Sequence, residues 1–439
     1  MRVTYYGQAC TLIEGAGRRI LTDPWLTEGA YFGTWFHTHV LAEAGVTPES
    51  FPRETIDYLF LSHEHQDHVD PATLRVFPKS LPVLICRFQG GRFRRYLEGM
   101  GFTDVRELDS GRTLELGDSL SVTLYGSAEY TNDSAIVVEA EGFRVYNETD
   151  CKLGFEDLQR IADKGIDLGF YMFSGANWYP ILYDYPREER GRLARRRRGL
   201  LLKSFLQRVK LTRPKVAVPS SGPCMVLDPA LLWLNSPEEG IFIDPREAVA
   251  ALTASGSPAQ PLYMAATDVW DSARGFERRA PGAFHGDRAA YIAGASARHA
   301  EGIAARLRAE PPAGPDLGRL VAEYFDRRVG AQSPDIRRRI GAVLGIEAAG
   351  PHGGSWTVDF NAGGPRYVRE GIDPGWTYKV QVEDKLLYPF MAGREEWLED
   401  LFLSLRAGLA RRPDQYNEPL YHFLYDPDPE RLARWYATH

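Results

Sequence analysis

Cysteine is scarce in this chain of 439 residues, and the four present, Cys10, Cys86, Cys151 and Cys224, stand singly. No CxxC pair, zinc-finger spacing or disulfide framework can be built from them. A reducing cytoplasm is the expected setting. No apolar run approaches the ~18 residues of a membrane span. The start, Met1 to Gly7, lacks a basic segment followed by an apolar core and reads as a first strand. Positive charge is also short. The formal net charge is −7, which gives no support to nucleic-acid binding through bulk electrostatics. One basic run, Arg190 to Arg198, reads as a solvated helical face or as a dock for an anionic substrate or a redox partner. Repeats and low-complexity tracts are absent. Histidine is rare, yet three of the ten fall within one six-residue run.

What is present is the composition of a globular protein, 44% hydrophobic and 25% charged, in a chain long enough for two or three substructures. The first 150 residues read as short strands broken by turns: Val3 to Tyr6, Cys10 to Glu14, Arg19 to Thr22, Asp57 to Leu61, Val83 to Cys86, Leu120 to Tyr125, Ala135 to Glu139 and Arg144 to Asn147. Asp70-Pro71 reads as a helix start. A helix is expected from about 186 to 210 and a strand over Lys215 to Pro219. Residues 246–345 look mostly helical. Residues 346–439 look α+β, with a helix around Glu395 to Arg411. The expected division is therefore 1–245, 246–345 and 346–439, in a layered α/β architecture.

The chemistry concentrates in His63-Glu64-His65-Gln66-Asp67-His68, between a hydrophobic strand and a helix. Imidazole and carboxylate suit zinc, iron and manganese. Side chains two apart in an extended segment share a side, so His63 and His65 can hold one metal. The following turn can swing Asp67 and His68 towards a second.

This HxHxDH run resembles the signature of the metallo-β-lactamase superfamily. Gly7-Gln8-Ala9 with Ile20-Leu21-Thr22-Asp23-Pro24-Trp25 resembles that fold's opening hairpin. Asn132 to Val138 with Gly142 to Tyr146 resembles its second-half hairpin, and Asp150 stands where the family carries a bridging aspartate. The resemblance covers roughly residues 1 to 230. It implies an αββα sandwich, here with helical and C-terminal α+β extensions, and a site for two metal ions. The family's usual histidine before the second-half hairpin is missing. Glu129 is the candidate in its place, and a Glu there resembles the diiron oxygenases of this fold and favours iron or manganese over zinc. The family's last histidine is also missing, at Pro219-Ser220-Ser221-Gly222-Pro223; His285 or Asp228 are candidate substitutes.

Phe173-Ser174-Gly175-Ala176-Asn177-Trp178-Tyr179-Pro180, the basic helix, Arg213 to Pro219, and Trp397 to Phe402 with Arg412 to Asn417 resemble the non-Rieske part of the CMP-N-acetylneuraminate hydroxylase family. Rieske ligands are paired Cys and His, and this chain has no such pattern, so electrons are expected from a separate donor. The resemblance implies a non-haem dinuclear iron oxygenase acting on a small polar substrate, with O2 as co-substrate and Asp67, Glu129 and Asp150 as catalytic carboxylates. His63, His65 and Glu129 are expected on one iron, Asp67 and His68 on the other, and Asp150 between them. The alternative is a zinc or manganese hydrolase, a lactonase or phosphodiesterase; the opening hairpin resembles the ascorbate-6-phosphate lactonase branch. His37, Trp178 and Tyr179 are candidate substrate contacts, and Cys151 a candidate soft ligand or packing residue.

Overall fold

The computed structural model describes residues 1–175, 177–395 and 397–438. Ala176, inside the motif from Phe173 to Pro180, and Glu396, inside the expected C-terminal helix, lie outside the described residues. The chain forms two compact units, 1–176 with 191–301 and 177–190 with 302–439.

The first unit follows from alternation. In Leu59-Phe60-Leu61 the two leucines enter one core and Phe60 another, as successive strand residues must. Eight strands form one sheet, in the order Gly275–Glu277, Val269–Asp271, Arg2–Gly7, Cys10–Gly15, Arg18–Thr22, Tyr58–Phe60, Val83–Cys86 and Val105–Leu108. Seven form the other, in the order Gln260–Pro261, Val216–Ser220, Leu168–Met172, Phe143–Asn147, Ser134–Ala140, Leu120–Gly126 and Thr113–Gly117. Val3, Ile13, Phe60 and Leu84 of the first sheet meet Val122, Ile136, Val145 and Phe170 of the second in the central core. Leu59, Leu61 and Ile85 turn outward to Leu74 and Phe93 on flanking helices. On the far side Val137, Tyr146 and Tyr171 meet Ile161, Phe205 and Leu252. Three cores separate four layers, which is the αββα sandwich.

Strand direction places the site. Arg18–Thr22, Tyr58–Phe60, Val83–Cys86 and Val105–Leu108 run parallel. So do Phe143–Asn147, Leu168–Met172 and Val216–Ser220 in the second sheet. Within each parallel set the carboxyl ends share one edge, the usual place for a ligand in α/β sheets. Asp23, the run His63 to His68, Asp150 and Ser221 all follow such ends.

Two expectations change. The segment 246–301 belongs to the first unit and is not a separate helical extension. Val269–Asp271 pairs with Arg2–Thr4 at the sheet edge, and Trp270 enters the central core; this apolar strand is too short to stand out in an Ala- and Arg-rich stretch. The boundaries expected at 245 and 345 therefore do not coincide with the compact units. The C-terminal helix spans only Glu399–Leu403. Leu405 takes a left-handed φ of 58°, and Gly408–Arg411 then joins a five-stranded sheet of the second unit by pairing with Tyr378–Gln381. The helix start at Asp70 is as expected: its carboxylate accepts from the Ala72 and Thr73 amides.

Candidate metal centre

Asp23 ties two neighbouring strand ends together. Its Oδ1 accepts from the Ser62 amide at 2.7 Å, and its Oδ2 from Ser62 Oγ at 2.7 Å and His68 Nδ1 at 2.8 Å. Because the Ser62 proton goes to Asp23, His63 Nδ1, 2.9 Å from Ser62 Oγ, must be the donor to that oxygen. Asp133 Oδ1 stands 3.3 Å from the same His63 nitrogen. His63 and His68 thus each have Nδ1 engaged and Nε2 turned to the other side, the arrangement in which a carboxylate behind a histidine aims it at a metal.

The remaining ring nitrogens and carboxylate oxygens converge. His63 Nε2 and His65 Nδ1 are 2.7 Å apart. His68 Nε2 lies 3.7 Å from both Asp67 Oδ2 and Asp150 Oδ2. Two donors at ~2.1 Å from a common ion stand ~3.0–3.4 Å apart, so the spacings bracket that of a shared cation. Ligand atoms of His63, His68 and Asp150 lie within 4.8 Å of one another. Tyr31 donates to Asp67 Oδ1 at 2.6 Å, which leaves Oδ2 on the His68 side. The alternate residues turn away: Glu64 accepts from Asn132 Nδ2, and Gln66 accepts from the Tyr31 amide.

Electrostatics give the same answer. Asp23, Asp67 and Asp133 are buried, and Asp150 is partly so, with Oδ1 enclosed and unpartnered. Burial, then repulsion from Asp150, pushes the Asp133 carboxyl up to about 8. Burial opposes the charge on His68, yet Asp67, Asp23 and Asp150 outweigh it and hold the imidazole well above its ordinary value. Burial, then the neighbouring His68 and His65, lowers His63 to about 3. The carboxylates gathered here outnumber the positive groups beside them, and buried charge needs a partner. The residues present fit metal cations.

The expected residues divide as follows. His63, His65, Asp67, His68 and Asp150 are brought together. Glu129 is not: it lies on an exposed turn, with its carboxylate 2.7 Å from Lys152 Nζ. The carboxylate beside His63 is Asp133, four residues on, which the sequence reading passed over together with the role of Asp23. The Gly-Gln-Ala…Thr-Asp-Pro and Asn-Asp-Ser patterns were the available signals. His37 is buried and stacked on Trp25 at 3.9 Å, beside a cavity of about 10 Å³ lined also by Gly7, Pro219, Gly222 and Tyr263. Trp178 and Tyr179 belong to the second unit. There Trp178 packs on Phe402 and Tyr421, and Tyr179 meets Tyr183 and Arg411. Cys151 is packed in the outer core. His285 pairs with Asp268, and Asp228 accepts from the Ala230 amide. Gln8, Asp23, Thr149 and Ser221, none of them glycine, all hold left-handed φ at these strand ends, and such strain clusters at functional sites.

Residues 2–178 match the family described as a beta-lactamase superfamily domain. A Mycobacterium tuberculosis protein named for a Rieske 2Fe-2S iron-sulfur protein is 30% identical over 467 residues, covering 100% of this chain and 87% of that relative. The chain belongs to the metallo-β-lactamase superfamily. The Danio rerio cytidine monophosphate-N-acetylneuraminic acid hydroxylase is 25% identical over 285 residues, 60% of this chain and 46% of the relative. The structure of an isothiocyanate hydrolase from Delia radicum gut bacteria has a TM-score of 0.44 at 15% identity, over 62% of this chain and 99% of that one. The site is carboxylate-rich, with Asp133 beside His63, and two serines, Ser220 and Ser221, stand at the end of the strand Val216–Ser220. No helix among the described residues is long and apolar enough to cross a membrane.

Proposed function

We propose that this metallo-β-lactamase-fold chain is a non-haem dinuclear iron oxygenase that hydroxylates or N-oxygenates a small polar substrate. The observation that carries the reading is the donor set: three imidazoles with Asp67 and Asp150, backed by the buried carboxylates Asp23 and Asp133. Hard oxygen donors favour iron or manganese over zinc. His63 and His65 would hold one ion, Asp67 and His68 the other, with Asp150 between them. When bound, the metals supply activation of O2. The protein's own part is orientation. Asp23 and Asp133 fix the rotation of His68 and His63, Tyr31 clamps one oxygen of Asp67, and the burial of His63, Asp67 and His68 leaves the site open only on the side of His65 and Asp150. The names of the fish hydroxylase and of the mycobacterial iron-sulfur relative agree with redox chemistry.

The test is oxygen uptake by protein grown with added iron, with and without reductant. Reductant-dependent uptake abolished in Asp150→Ala supports the reading; no uptake by the iron-loaded protein contradicts it.

A second reading, a zinc or manganese hydrolase, is favoured by Tyr31 holding Asp67 Oδ1, which leaves Oδ2 fixed to position a water. Turnover of lactone or phosphodiester panels by the zinc form, without oxygen chemistry, would bring it forward.

A further inference from the structure

We infer that the outward face of the helix Arg187–Thr212 is a docking surface for a small acidic iron–sulfur protein that delivers electrons to the metal centre, an inference that rests on the oxygenase reading. Arg196, Leu200, Lys203, Gln207 and Lys210 are exposed and recur at helical spacing, one to a turn. They form a single stripe about 21 Å long. Among the described residues no carboxylate lies within ion-pair distance of Arg196, Lys203 or Lys210, and the sequence has no Asp or Glu between Glu189 and Asp228. All the charge on this stripe is positive, on a chain whose net charge is −7, so it selects an acidic partner. Leu200, 52% exposed, places an apolar contact inside the basic stripe, the composition of a protein interface.

The opposite face of this helix leads to the site. Leu201, Phe205 and Val209 pack against Tyr146 and Cys151. Arg208 Nε lies 2.8 Å from the buried Glu148, two residues before Asp150. The helix thus lies between the basic stripe and the end of the strand Phe143–Asn147, three residues before Asp150. The chain holds no cluster ligands of its own: its four cysteines are single, free and buried. In each transfer the donor's cluster is oxidised by one electron and the centre reduced by one. Two transfers with two protons balance the conversion of O2 into one inserted oxygen atom and one water.

The test uses the full iron-loaded chain and a reduced, acidic plant-type 2Fe–2S ferredoxin as probe. Binding is measured by sedimentation at low and high salt. Reduction of the centre is followed without oxygen, by ferredoxin and separately by a small neutral reduced phenazine. The charge reversal R196E/K203E/K210E and the milder R196Q/K203Q/K210Q are compared with the wild type at equal metal content. The expected result is salt-sensitive binding weakened about tenfold or more by reversal, with ferredoxin reduction slowed in parallel and phenazine reduction unchanged. Equal binding and equal ferredoxin reduction in all three proteins would overturn the docking surface while leaving the oxygenase reading intact. So would a wild type that prefers phosphatidylserine vesicles or duplex DNA to ferredoxin. A wild-type centre that phenazine cannot reduce would overturn the oxygenase reading and this redox role together.

Discussion

Two clusters of charge, one in each unit, are built in opposite ways. In the second unit acids and bases stand in pairs. Arg406 bonds Glu310 with its Nη2 at 3.0 Å, Lys385 joins the same carboxylate at 2.9 Å, and Arg431 meets Asp426 at 2.8 Å. In the first unit the strand ends gather Asp23, Asp67, Asp133 and Asp150 around His68, with more carboxylates than counter-charges. Compensated pairs hold a fold, whereas an uncompensated cluster of convergent lone pairs demands a ligand from outside. The same residue types thus serve structure in one place and chemistry in the other.

Substitutions in the two places should therefore fail differently. The largest effect is expected for Asp150→Ala, which should lose at least one metal and all activity while the chain stays folded. Elemental analysis beside circular dichroism checks this, and a variant retaining both metals would remove Asp150 as the bridge. Arg406→Ala should do the reverse: about 3 kcal/mol of stability lost by urea titration, with metal content unchanged. That pair also sets an acid limit. Burial pushes Glu310 up, but its bonds to Arg406 and Lys385 prevail and hold it below its ordinary 4.5. Its contribution is full above that value and disappears as pH falls through the folded pKa, so the acid slope of stability should flatten in Arg406→Ala. A smaller effect is expected for Asp23→Asn, which leaves every ligand in place but loosens His68. Metal affinity should drop about 10–100-fold, read by competition with a chelator, and an unchanged affinity would deny Asp23 its positioning role. Smallest of all, Glu129→Ala should leave metal stoichiometry unchanged, because its partner is the exposed Lys152; a lost metal would restore Glu129 as a ligand.

Eight strands of the first 150 residues were legible because alternation and turn residues mark them, and their observed bounds differ by a residue or so at most ends, whereas Trp35–Phe36, Val105–Leu108 and Thr113–Gly117, short or largely polar, were not read as strands. The HxHxDH run was legible because its ligands are local in sequence. Glu129 misled because position relative to a family pattern says nothing about side-chain direction: the turn after Gly126 carries it outward to Lys152, and Asp133 at the start of the next strand faces inward. Asp23 was invisible as a support for His68 because its role depends on two strands lying side by side, a non-local pairing. Trp178 and Tyr179 read as a substrate wall from composition, yet packing against Phe402, Tyr421 and Arg411 uses the same aromatic surface.

The central claim is that the strand ends of the first unit hold two metal ions. Anomalous diffraction at the iron edge, on crystals of protein grown with added iron, tests it most directly. The account predicts two peaks, one against His63 and His65 and the other against Asp67 and His68, with Asp150 touching both. Two peaks at the zinc edge alone would keep the pair of ions and bring the hydrolase forward; a single peak or a peak elsewhere would contradict the claim.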